Sequence, residues 1–233
     1  MTKKHRFLIS KDNVDQREFD KANTVVATND TLREIIKDTI YYHGNKVDLN
    51  FIDTSKVTDM HNLFDGGMSF NCDVSEWDVS NVTNFSGMFK ACAEFDCDIS
   101  GWVTRNAEDF SEMFAGCNKF SQDLKSWEFG NVTNARKMFM GCYRFNCDVG
   151  QWDVKNIKDM SYMFSSCSRF LGMNIHKWDV SNVENIEHMF EYCRDFAGKI
   201  DKWKLNSCTK FEDYCNYVPS LLDLRSRPAI PIK

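Results

Sequence analysis

The sequence predicts an α/β repeat solenoid, a stack of about seven strand–bend–short-helix coils closed by N- and C-terminal caps. Three observations predict it. Tryptophans stand at Trp77, Trp102, Trp127, Trp152, Trp178 and Trp203, in steps of 25, 25, 25, 26 and 25 residues. A second column keeps the same step: Leu63-Phe64, Met88-Phe89, Met113-Phe114, Met138-Phe139, Met163-Phe164 and Met189-Phe190. A third runs Phe70, Phe95, Phe120, Phe145, Phe170 and Phe196. A unit of this size cannot bury its apolar face alone and must pack on its neighbours.

The units run 52–76, 77–101, 102–126, 127–151, 152–177 and 178–202, with Ile52 at the tryptophan position of the first. Within a unit, Val82, Phe85, Phe89 and Cys92 are spaced 3, 4 and 3, as on one face of a short helix, with Ser80 and Thr83 as candidate caps. Phe95, Cys97 and Ile99 then alternate with polar residues, as in a strand. Coils pairing strand to strand would sit roughly 4.8 Å apart. Proline is confined to Pro219, Pro228 and Pro231, outside the repeats. The extra residue of the 26-residue unit falls near Leu171-Gly172-Met173, where the pattern predicts a bulge.

Ends of such a stack need covers. Residues 1–50 read as the N-terminal cap. Residues 7–9 and 24–27 suit short strands. Residues 31–43 suit an amphipathic helix with the stripe Leu32, Ile35, Ile36 and Ile40. Thr31 and Glu34 form a capping-box pattern, and Gly44 suits the helix end. Residues 51–202 are the six repeats. Residues 203–233 hold a degenerate seventh unit, with Tyr214-Cys215 in the Met-Phe place, and a C-terminal cap using Leu221, Leu222 and Leu224.

Composition narrows the function. The 233 residues carry 29 Lys+Arg against 34 Asp+Glu, a net charge of −5, which argues against nucleic acid or an anionic membrane as partner. No apolar run reaches the ~20 residues of a membrane helix. The basic start, residues 1–6, is followed by only Phe7-Leu8-Ile9, too short for a secretory core, so the reading is cytoplasmic or virion-associated, with the cell surface only if a signal peptide was removed. Most of the ten cysteines should then be free thiols.

The repeating polar and thiol positions read as structure. Cys92, Cys117, Cys142, Cys167 and Cys193 form one column of small buried apolar groups. Cys72, Cys97 and Cys147 form a second. Neither column has the spacing or histidines of a zinc site. Asn81, Asn106, Asn131, Asn156 and Asn182 suit a buried asparagine ladder bonding the backbone at each bend. Asp73, Asp98, Asp123 and Asp148 suit turns whose N–H groups they accept, with calcium bridging the sharper alternative. The six tryptophans read as core. The five histidines share no repeat position. No metal, cofactor or catalytic residue is assigned, because no nucleophile, phosphate-loop, zinc-protease or dinucleotide motif is present.

The segments WDVSNVTNFSGMF at 77–89 and DLNFIDTSKVTDMHNLF at 48–64 resemble the repeats of BspA-like surface proteins, divergent leucine-rich-repeat-like units found in mycoplasma lipoproteins, gut bacteria, protists and large DNA viruses. The resemblance covers roughly 48–215. It implies a leucine-rich-repeat-like stack used for adhesion or protein binding, without catalysis. The expected function is a non-enzymatic scaffold for a protein partner. The alternatives are a structural subunit of a larger particle such as a virion, or a cell-surface adhesin. Candidate surface positions are those that vary between units: Lys90, Ala115, Met140, Ser165 and Glu191 after each Met-Phe pair, and Glu76, Gly101, Ser126, Gln151 and Lys177 before each tryptophan.

Overall fold

The computed structural model describes residues 24–206, 209–221 and 228. Strand β1 (Val25–Val26) pairs in parallel with β2 (Ile52–Asp53), in the register Val25 to Ile52 and Val26 to Asp53. Helix α1 (Leu32–His43) lies between them in sequence and buries Leu32 and Ile36, with Ile35 and Ile40 packed against the core. Thr31 does not cap α1: it is itself right-handed and its hydroxyl accepts the N–H of Thr28 at 2.9 Å. At the other end Gly44, at φ 88°, donates its N–H to Ile40 O. The expected strand at 7–9 and the cap residues Leu222 and Leu224 lie outside the described residues. Leu221 is buried, in a 3-10 helix over Pro219–Leu221.

The expected α/β solenoid of about seven strand–bend–short-helix coils is corrected by the backbone. Among the described residues α1 is the only α-helix, and β1 with β2 the only sheet. The repeats are built of turns. Ser80 and Thr83 have no helix to cap, and the Phe95–Ile99 segment is not a strand.

The reason is a left-handed residue placed twice in each unit. One column is Asn62, Gly87, Glu112, Lys137, Tyr162, His188 and Asp213, with φ between 49° and 62°. The second, four residues on, is Gly66, Ala91, Gly116, Gly141, Ser166, Tyr192 and Tyr217, with φ between 57° and 80°. A right-handed helix cannot pass through such residues. Alternate N–H groups therefore serve two different purposes. Phe85, Gly87, Phe89 and Ala91 donate to Asp109, Ser111, Met113 and Ala115 of the next unit, at 2.7–2.9 Å. Between them, Met88, Lys90 and Cys92 donate three residues back, to Phe85, Gly87 and Phe89, at 3.0–3.1 Å. The same alternation recurs from Met60 to Tyr192. Single parallel bridges join Asp59, Asn84, Asp109, Asn134, Asp159, Asn185 and Lys210 in order.

The apolar 3-4-3 spacing is thus met by turns of alternating hand, which also keep those side chains on one side. Phe64, Phe89, Phe114, Phe139, Phe164 and Phe190 stack on one another, with centroids 5.4–6.0 Å apart. Each also stacks 3.9–4.4 Å from the phenylalanine of the third column in its own unit. Such offset aromatic pairs add to simple burial. Trp102 stacks on Trp127, and Trp178 lies between Trp152 and Trp203. Trp152 stacks on Phe129 at 4.1 Å.

The added residue of the fifth unit takes the form of left-handed Gly172 and Asn174 followed by a 3-10 helix, Ile175–Lys177. Gly172 also needs its missing side chain, since a Cβ there would come 2.4 Å from the Phe196 ring.

Candidate interaction surface

The repeated indole, buried-thiol and asparagine groups each bond a backbone carbonyl 26–29 residues earlier in the chain. The indole N–H groups of Trp77, Trp102, Trp127, Trp152, Trp178 and Trp203 donate to Leu49, Val74, Ile99, Leu124, Val149 and Ile175 carbonyls at 2.9–3.1 Å, all buried. Cys92, Cys117, Cys142, Cys167 and Cys193 are fully buried. Their Sγ atoms lie 2.9–3.1 Å from the carbonyls of Phe64, Phe89, Phe114, Phe139 and Phe164. The thiols are hydrogen-bond donors as well as small apolar groups. Burial pushes the Cys92 thiol up to about 12 and raises those of Cys117, Cys142 and Cys167 well above the ordinary range.

Asn81, Asn106, Asn131, Asn156 and Asn182 do not form the expected buried column. They are exposed, and each amide donates to a carbonyl of the preceding unit: Ser55, Ser80, Arg105, Gly130 and Lys155, at 2.6–2.9 Å. Asp73, Asp98, Asp123 and Asp148 each accept the N–H of the residue two on, at 2.9–3.0 Å. Hydrogen bonds from Ser100 hold the Asp98 carboxyl below its ordinary range. Among the described residues, no group of three or more His, Cys, Asp or Glu is placed to hold a metal.

Two shallow depressions open on this frame. One, of about 410 Å³, is lined by Arg105, Lys125, Glu128, Gly130, Gln151 and Asp153 beside Trp127. The other, of about 310 Å³, holds Cys72, Cys97 and Asp73. Burial raises Cys72 to about 12 and Cys97 to about 11. Both stay protonated at neutral pH and are weak nucleophiles.

The left-handed columns carry the more varied chemistry. Lys90 and Lys137 flank Glu112 at 2.5 and 3.8 Å. Lys137 also lies over the Tyr162 ring at 5.7 Å, and Tyr162 stacks on His188 at 4.5 Å. In the second column Tyr192 stacks on Tyr217 at 4.6 Å, and Tyr217 is 67% exposed. The second column therefore changes from glycine and alanine in its first units to tyrosine in its last two.

The family model described as Mycoplasma protein of unknown function, DUF285, matches residues 32–147 and, overlapping, 121–223. The chain belongs to the DUF285 family. No curated protein and no solved structure matches it. No helix among the described residues of this DUF285 chain is long and apolar enough to cross a membrane.

Reading the DUF285 sequence alone misplaced part of this surface. Ala115 and Ser165 are buried, while Lys90, Met140 and Glu191 are half-buried. Glu76, Gly101, Ser126, Gln151 and Lys177 are exposed. It also missed the left-handed column. His188 shares that column with Glu112, Lys137 and Tyr162, although the histidines appeared unrelated. The available signal was glycine: Gly66, Gly116 and Gly141 share one column and Gly87 lies in the other, inside a stretch taken for helix. An alternation was missed too: Asp59, Asn84, Asp109, Asn134, Asp159 and Asn185 alternate acid and amide along the bridges. That spacing keeps carboxylates from standing in adjacent units.

Proposed function

We propose that this DUF285 chain is a non-enzymatic protein-interaction scaffold of the BspA-like kind, binding its partner through the left-handed column face. The observation that carries this reading is the identity of the residues at φ near 56°. Glycine fills that conformation at no steric cost, as Gly87 does, yet Glu112, Lys137, Tyr162 and His188 stand there. A left-handed conformation costs a residue with a Cβ roughly 1–2 kcal/mol. These four side chains are half-buried, and backbone strain of this kind clusters at active sites, ligand clamps and switch regions. The buried thiols donate hydrogen bonds that oxidation would abolish, which suits a reducing compartment.

The test uses the same conformational fact. Replacing Glu112, Lys137 and Tyr162 together by glycine removes their side chains while favouring the backbone they occupy. Wild type, this variant and a control with Glu76, Ser126 and Gln151 changed to alanine are each crosslinked in extract of the source cells. A partner recovered at least tenfold less with the glycine variant, and equally with the control, supports the reading. Recovery of the same proteins by all three, with folding intact, refutes it.

A further inference from the structure

The turn rows bond in one direction, and three N–H donors of the last row meet no partner among the described residues. In the sixth junction, Ile186, His188, Phe190 and Tyr192 donate their N–H groups to Lys210, Glu212, Tyr214 and Asn216 at 2.8–3.2 Å. One row on, the corresponding donors include Phe211, Asp213 and Tyr217. Asp213 and Tyr217 keep the left-handed φ of the earlier rows, at 51° and 60°. The N–H groups of Phe211, Asp213 and Tyr217 meet no hydrogen-bond partner among the described residues. A row of unpaired backbone donors is a template for another chain.

The opposite end is closed. The carbonyls of the first row accept from the Arg33 guanidinium: His61 at 3.1 Å, Asn62 at 3.0 Å and Leu63 at 3.3 Å. A second copy therefore cannot offer its first row to the last row of another. The occupant must bring its own carbonyls.

Charge states what else it brings. Glu112 is met by lysines from the units on both sides. Asp213, its counterpart in the last row, is exposed beside exposed Glu212, and neither has an ion-pair partner among the described residues. The Tyr217 ring is covered on one side by Tyr192.

We propose that the Phe211–Tyr217 edge binds a segment of another protein that adds one further row of the same turns. That segment accepts from Phe211, Asp213 and Tyr217, and places a basic residue over Asp213 with apolar residues following it. This deepens the interaction reading and rests on it, but it uses the end of the stack of rows and not its lateral face.

The chain itself supplies a probe of the required chemistry. A fluorescein-labelled peptide copying residues 131–142, with Cys142→Ser, carries Arg136-Lys137 followed by Met138-Phe139. It is titrated against the full chain by anisotropy at low salt, with amide exchange read residue by residue. The expected result is fast exchange at Phe211, Asp213 and Tyr217 in the free chain and at least tenfold slowing with peptide. Binding should weaken at least tenfold when Asp213→Lys is made, or when Arg136 and Lys137 of the peptide become glutamate. Slow exchange of these amides in the free chain overturns the proposal, as does peptide binding that leaves them fast. Self-association of the chain through this edge overturns the choice of occupant. None of these experiments alters Glu112, Lys137 or Tyr162 of the full chain, so failure here is distinguishable from failure of the lateral-face reading.

Discussion

The Cys142 thiol lies 3.0 Å from the carbonyl oxygen of Phe114, one unit earlier in the chain. The same oxygen accepts the Cys117 N–H at 2.9 Å, so each thiol fills the second lone pair of a buried carbonyl. The cysteine column is therefore part of the hydrogen bonding between units.

Cys142→Ala removes that donor and leaves a small void in a site with no exposure. The expected cost is about 1–2 kcal/mol, from the lost hydrogen bond and the deleted sulfur. Urea denaturation of wild type and variant measures it. A change within error would show that the thiol only fills space.

The raised thiols make stability fall at alkaline pH. In the unfolded chain a cysteine ionises near its ordinary value of 9.0, whereas burial keeps Cys92 protonated to about 12. Between those values the native state holds more protons than the unfolded state, so unfolding becomes easier as pH rises. Below pH 9 the thiols have no effect. Above it each buried thiol adds a slope of about 1.4 kcal/mol per pH unit. Denaturation midpoints from pH 7 to 10.5 should be flat and then fall, and Cys142→Ala should fall less steeply.

Ala91 holds φ 57° where Gly116 and Gly141 stand in the next two units. Ala91→Gly is expected to stabilise the chain by about 1 kcal/mol, because glycine meets no Cβ penalty there. Gly141→Ala, at φ 77°, is expected to destabilise it by a similar amount. Thermal melting of both variants checks the pair, and melting shifts of the same sign would contradict it.

Asn134 stands between Asp109 and Asp159 along the bridges and donates its amide to Asp109 Oδ2 at 3.3 Å. Asn134→Asp keeps the oxygen that accepts the Arg136 N–H but loses that donor and sets three carboxylates in consecutive units. About 1 kcal/mol of destabilisation is expected at low salt. Raising the salt to 0.5 M should recover part of it by screening. A loss that salt does not touch would point to packing.

The core was legible because burial recurs with the chain's own period. Trp102, Phe89 and Phe120 are inside because every unit must present an apolar group at the same place to cover its neighbour. The short helix was misread because apolar spacing reports only which side a residue faces. Val82, Phe85, Phe89 and Cys92 satisfy a helical stripe, and turns of alternating hand satisfy it equally well. Gly87 and Gly116 carried the contrary signal. The asparagine column was read as buried because recurrence was taken for burial, although an exposed amide can repeat when it bonds the unit before it.

Period, core columns and the acid–amide alternation along residues 59–185 are properties of the linear order, since each depends on residues one step apart. The hand of the backbone at Glu112 or Tyr192 depends on the neighbouring units. A left-handed residue with a Cβ is unfavourable in isolation, and at Glu112 and Tyr192 it is accompanied by an N–H bond to the carbonyl of Arg136 or Asn216 in the adjacent unit. For the same reason the open donors at Phe211, Asp213 and Tyr217, and the closing of the first row by Arg33, appear only when the rows are assembled.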